Sequence, residues 1–337
     1  MKKTRFFALV LVFSVLFSVL CFTSCSTNTL YSEGEEKIKI LCTVFAPFDF
    51  ARVVGGDRVT VTILQDNGSD LHNYTPTGAT LEALSNADLL IHIGGVSDQA
   101  WLPDAIRAAG NEDLRIVCLM DHIVPIHAEL AENWSDHDSH GADESHDEHN
   151  EHGHDHSGHD HGADEHIWTS LRNSVECVLE ICHAISDLDP DNADYYKANA
   201  DAYVAALQQL DRQYAEVAES FFAPVIFADR FPFVYLMHDY HLSYSAAFSG
   251  CSTEVDSSFE MQIRLIKAVR ELAIPCVFTI EGNDKSLAEA ISAETGCKIV
   301  SLNSLQSVKR ADIKNGITYL SVMEENLNAL KEVSQWP

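Results

Sequence analysis

Lys37–Leu64 reads KIKILCTVFAPFDFARVVGGDRVTVTIL, and the fold follows from it. Lys37–Phe45 is an apolar run of the kind a buried strand needs. Pro47–Val54 has room for a short helix, and Arg58–Leu64 alternates β-branched residues as a second strand does. A strand, a helix and a strand in so short a stretch make a βαβ unit, and such units build parallel sheets. The alternation continues downstream. Thr80–Asn86 reads as helix, Asp88–Ile93 as a strand stopped by Gly94-Gly95, Gln99–Ala109 as helix and Leu114–Leu119 as strand. Thr169–Leu188 places Leu171, Val175, Val178, Leu179, Cys182 and Ile185 at helical spacing, and Pro190 opens a second long helix reaching about Phe221. The pattern then repeats: strand Val225–Ala228, helix Phe231–His238, strand Leu242–Phe248. Ser257–Glu260 spells a capping box for a helix to Leu272. Strand Cys276–Ile280, helix Leu287–Glu294 ended by Gly296, strand Lys298–Leu302 and helix Gly316–Val333 close the chain. This predicts an α/β protein of two lobes, each a mainly parallel sheet flanked by helices, joined by a long linker helix. Ligands belong in the cleft, at the carboxyl ends of the strands.

Between the two halves lies Asp136–His166, DHDSHGADESHDEHNEHGHDHSGHDHGADEH, which holds ten of the 17 histidines. With almost nothing apolar to bury, it is expected to stay unpacked. Imidazole and carboxylate are ligands for borderline divalent ions such as Zn²⁺. His137, His140, His146, His149, His152, His154, His156, His159 and His161 are therefore candidate loop ligands. The formal charge of the chain is −29, and the stretch Asp136–Glu165 carries 11 of the negatives. So acidic a chain excludes nucleic acid as a partner, whose phosphates need a basic surface, and it suits cations.

Residues 1–25 read as an export leader: Lys2, Lys3 and Arg5 precede the apolar run Phe6–Phe22, which is short for a membrane span. Phe22-Thr23-Ser24-Cys25 resembles a bacterial lipoprotein cleavage box, which makes Cys25 the lipidated residue, with Phe22 where Leu is usual. Residues 26–36 are then a polar tether. The domain expectation is a lobe at 37–168 with the loop 134–166 inside it, a linker helix at 169–188 and a second lobe at 189–337. Seven cysteines follow Cys25 with no CxxC pair, which leaves no zinc ribbon or thioredoxin motif and no assignable disulfide.

Beyond these loop candidates, His72 lies in a loop after the second strand, His166 where the polar loop meets order again, and Glu281 and Asn303 at strand ends. They are the first candidates for a cleft site, with Glu281 either a ligand or an anion partnering Arg230. His238 and His241 flank Tyr240 in a turn, and His92 sits in an apolar strand as a core residue.

These residues carry a family resemblance. Leu71-His72-Asn73-Tyr74-Thr75-Pro76, then Leu84-Ser85-Asn86-Ala87-Asp88-Leu89, then a His/Asp/Glu loop ending in Glu165-His166-Ile167-Trp168 resemble the zinc/manganese solute-binding proteins of bacterial ABC transporters. Asp239-Tyr240-His241-Leu242 and Ala290–Gly296 extend the likeness over nearly the whole mature chain. The resemblance implies a metal held between two lobes, with His72 and His166 as its first and second histidine ligands. The third ligand, His or Glu, falls near Arg230, so Asp229 beside it or a shifted residue would substitute. The fourth, usually Asp, falls at Asn303; Glu281 and His241 are further candidates.

The expected function is capture without chemistry: an exported, lipid-anchored, monomeric receptor takes Zn²⁺, or Mn²⁺ or another divalent ion, and passes it to a metal ABC permease with its ATPase. A metal sink or chaperone without a transporter is the alternative. A zinc hydrolase is disfavoured, because no HExxH or comparable signature is present.

Overall fold

β1 (Ile38–Cys42) runs into α1 (Phe45–Gly55) and returns as β2 (Val59–Ile63), parallel to β1 from Ile38↔Val59 to Cys42↔Ile63. The structure, a computed structural model, describes residues 37–66, 68, 71–126, 162–248 and 259–334. The expected leader with Cys25, the loop histidines His137 to His161 and Ser257-Ser258 of the expected capping box lie outside the described residues. No helix among the described residues is long and apolar enough to cross a membrane.

The first sheet adds β3 (Leu89–His92) and β4 (Arg115–Cys118) in the order β2-β1-β3-β4. The second is built from β5 (Val225–Phe227), β6 (Tyr244–Ala246), β7 (Cys276–Ile280) and β8 (Lys298–Leu302) in the order β6-β5-β7-β8. All neighbours are parallel, and the second order repeats the first. Chain direction across each sheet therefore switches beside β1 and beside β5, the places where such sheets receive ligands.

The connecting helices are α2 (Gly78–Asn86), α3 (Val96–Gln99), α4 (Leu102–Ala109), α5 (Leu171–Leu188) and α6 (Ala193–Ala218). The second half supplies α7 (Val234–Asp239), α8 (Phe259–Glu271), α9 (Ser286–Thr295), α10 (Arg310–Lys314) and α11 (Tyr319–Ser334). Several are shorter than the sequence suggests, each for a local reason. The helix expected over Gln99–Ala109 breaks at Ala100-Trp101 and restarts with a proline in the first turn of α4. Pro232 disfavours helix at the residue before it, so the expected Phe231–His238 begins at Val234. Gly316 has φ +89, so it cannot lie inside a helix as expected. α11 begins at Tyr319 instead, after Thr318 and Ser321 exchange side-chain-to-backbone bonds. The expected strand Leu242–Phe248 contracts to the three residues of β6.

Strand alternation sends opposite faces of each sheet into different cores. In the first sheet Leu41 and Leu90 pack with Leu84, Trp101 and Leu102, while Ile40, Cys42, Leu89 and Ile91 face the other way. In the second, Ile226 and Val277 pack with Leu265 and Ile291, while Phe227, Cys276, Phe278 and Ile280 face the other way. The two inward faces belong to one continuous apolar cluster, closed by α1, α5, α6 and α11. Along α6 the buried residues are Tyr196, Ala200, Tyr203, Leu207, Leu210, Tyr214 and Val217, a 4-3 repeat that gives one stripe to this shared core.

One carboxylate is buried in it. Asp49 of α1 is 0% exposed; it accepts the backbone N–H of Tyr319 at 2.9 Å, the Tyr203 hydroxyl at 3.4 Å and the Arg52 guanidinium at 2.6 Å. It thereby caps the amino end of α11 from another element, where the helix dipole favours a negative charge. The six cysteines among the described residues are free thiols, and all but Cys118 are buried.

Candidate metal centre

His72 is placed by the carboxyl end of β2: the chain leaves Ile63, loops, and tightens into a single 3-10 turn at Leu71–Asn73. His166 is placed from the other side. It precedes the 3-10 turn Ile167–Thr169, which leads into α5 behind the cap Ser170. The two imidazoles meet with ring centroids 5.6 Å apart, edge to face, and the indole of Trp168 packs on His166 at 5.3 Å.

A carboxylate orients each ring. Asp164 Oδ1 accepts both the backbone N–H of His166 (2.8 Å) and its Nδ1 (2.9 Å). Asp164 is in turn anchored from the second half of the chain, its carbonyl taking the Tyr235 hydroxyl at 2.8 Å. Glu165 Oε1 lies 3.0 Å from Nδ1 of His72 and also accepts the Ser97 hydroxyl, while Oε2 accepts the Ser97 N–H at 3.0 Å. Any Cβ on Gly95 would strike the Glu165 side chain at 2.2 Å, so glycine at 95 is what lets this carboxylate in. Burial alone would push the Glu165 carboxyl up, but bonds to His72 and Ser97 and the nearby imidazoles outweigh it and hold the group below its usual range.

A carboxylate on Nδ1 fixes the proton there and leaves the Nε2 lone pair as the metal-binding end of the ring. Nε2 of both rings is buried. The arrangement is thus a carboxylate-histidine pair doubled, which suits a borderline cation such as Zn²⁺. Among the described residues no third His, Cys, Asp or Glu gathers with metal-site geometry.

The remaining candidates stand on the second sheet, each with its own work. Asp229 follows β5; its Oδ2 accepts Ile280 N–H at 2.9 Å, and its Oδ1 accepts Arg230 N–H and the Asn283 amide. Glu281 caps β7 and takes both the N–H and the hydroxyl of Ser304 at 2.7 Å; burial raises its pKa above the usual value. Asn303 follows β8 and exchanges bonds with Asn326, its own side-chain oxygen accepting Leu305 N–H. His241 is an exposed turn residue with φ +53, and His238 is exposed. His92 ends β3 with Nδ1 3.4 Å from Asp98, inside the first lobe. Sequence reasoning did not single out Glu165, Asp164 or Ser97; the adjacency Asp164-Glu165-His166 was the available signal.

The family profile described as zinc-uptake complex component A, periplasmic (ZnuA) matches residues 40–333. The zinc-binding lipoprotein AdcA of Streptococcus pneumoniae is 28% identical over 324 residues, which is 95% of this chain but 60% of the relative's length. The high-affinity zinc uptake system protein ZnuA of Bacillus subtilis is 26% identical over 312 residues, covering 93% of this chain and 92% of its own. The crystal structure of the Zn(II)-bound ZnuA-like domain of S. pneumoniae AdcA matches with a TM-score of 0.68 and 25% identity, over 89% of this chain and 100% of that one. With a profile match that runs through both sheets and includes His72 and His166, this chain belongs to the ZnuA family.

Proposed function

We propose that the chain is an exported receptor that takes up Zn²⁺ at the meeting of its two halves and delivers it to the permease and ATPase of a metal ABC transporter. The observation that carries this is the pairing of His72 and His166 at 5.6 Å, each held at Nδ1 by a buried carboxylate. The names of AdcA and ZnuA relatives, all zinc proteins, support the choice of ion. No bond is made or broken in the reading: Nε2 lone pairs replace part of the ion's water shell. Protonation of those nitrogens competes, so affinity falls below about pH 6. Asp229, Glu281, Asn303 and His241 could join the ion only by leaving their present hydrogen bonds or turn. His137 to His161 would raise the local ion concentration, and Cys25 would carry the lipid that keeps the receptor at the membrane.

Zinc titration calorimetry tests this on the mature chain, beside a His72→Ala/His166→Ala variant and a version lacking residues 136–162. One ion per chain, retained without the loop and lost with the two histidines, is the expected result. Binding only by several weak sites that vanish with the loop would sink the receptor reading and leave a metal sink.

A further inference from the structure

A cavity of about 400 Å³ lies where the loop after β2 meets the carboxyl ends of β7 and β8. Gly68 lines it from the first lobe, and Arg230, Glu281, Asn283, Asn303 and Lys309 line it from the second. Neither ring lines it, but two routes of contact connect it to the imidazole pair. Gly68 sits on the loop that delivers His72. Glu281 grips Ser304, whose carbonyl takes the indole N–H of Trp168 at 2.8 Å, and that indole packs on His166.

Two imidazoles fill only half of a four-ligand zinc shell and leave the ion its full charge. The cavity wall offers little to a bare cation. Of its two carboxylates, Glu281 is engaged by Ser304, while Asp312 stands on α10. Beside them stand a guanidinium, an ammonium, two amides and the Ser307 hydroxyl, with Arg230 Nη2 held by Asn283 Oδ1 at 2.7 Å. A guanidinium repels a nearby bare cation, whereas its planar fork matches carboxylate oxygens. The volume falls in the range of small-molecule sites, ~300–1,000 Å³.

Resting on the zinc-receptor reading above, we infer that the cleft takes the ion as a complex with a small polycarboxylate anion. His72 and His166 hold the metal, and Arg230 and Lys309 hold the carboxylates of the chelator, whose other oxygens complete the metal's shell. Arg230, where the family resemblance places a metal ligand, then marks a change of cargo, from ion to chelate.

Citrate is the probe, because it separates the alternatives by sign. For a receptor of the free ion, citrate is a competitor and weakens apparent zinc binding. For a receptor of the complex it strengthens binding, by about tenfold, and native mass spectrometry finds protein, zinc and citrate together. Arg230→Gln and Lys309→Gln should each lose that strengthening; Lys309 is exposed, so its variant keeps the test alive if Arg230→Gln fails to fold. Weakening by citrate, alike in the parent and both variants, would overturn the inference while the receptor reading stands on zinc binding alone. Absence of zinc binding both with and without citrate would overturn the two together.

Discussion

Glu165 is a buried carboxylate and Glu281 a half-buried one, and their protons respond in opposite directions. Partial burial outweighs the donors of Ser304 and Gln306 and raises Glu281 above its ordinary value of 4.5, whereas His72, His166 and Ser97 hold Glu165 below it. The folded chain therefore holds the Glu281 proton more tightly than the unfolded chain does, and stability drains from that group as pH rises from about 4.5. Glu281→Gln removes this loss, so denaturant melts should show the variant gaining on the parent as pH rises; a constant difference across pH would refute it. How much was legible residue by residue follows the same logic. His72 and His166 could be picked out because each stands at an edge of order in a recurring pattern of neighbours. Glu165 is masked, since in sequence it is one acid among 11 in the stretch 136–165, marked only by its adjacency to His166. Its seat against Gly95 and Ser97 sets it apart in the fold, and no periodicity announces that contact.

Among the elements, α11 shows how a helix start can be reinforced from far away. Asp49, remote in sequence, satisfies the Tyr319 N–H and so adds to the local cap made by Thr318 and Ser321. Asp49→Ala would leave that N–H and the Tyr203 hydroxyl buried without an acceptor. The expected loss is about 2–3 kcal/mol, read from urea unfolding midpoints. A loss below about 0.5 kcal/mol would mean the cap is not structural. The early start expected at Gly316 fails for a local reason, the left-handed φ of that glycine and the cap at Thr318 and Ser321. Strands were read more reliably than helix ends, because period-2 apolar runs such as Ile38–Cys42 and Cys276–Ile280 commit both faces to cores. Helix ends instead turn on single residues, among them Pro232 and Gly316.

At the scale of the whole molecule the two halves are tied at the loop that carries His72. Arg310, opening α10, donates to both oxygens of Asp66 and gives its backbone N–H to the Asp66 carbonyl, while the Lys309 side chain lies against Gly68. The ion pair is mostly solvated, with Arg310 70% exposed, so Arg310→Ala should leave global stability nearly unchanged. Its effect should fall on the lifetime of the bound ion. Freed of the clasp, the His72 loop should release zinc up to about fivefold faster when a fluorescent chelator is mixed in by stopped flow. An unchanged release rate would mean that the clasp does not hold the cleft.

The buried thiols carry a consequence for how the protein ages. Desolvation by burial pushes Cys276 up to about 12, does the same to Cys177 with Glu176 adding to it, and raises Cys42 further still. Oxidants and alkylating agents attack the thiolate, so the folded molecule offers them almost nothing at these positions. Cys42 sits in the first sheet, Cys177 in the helix between the sheets and Cys276 in the second. Each sulfur becomes vulnerable only while its own region is open, so oxidative ageing of this protein keeps time with its breathing, sheet by sheet.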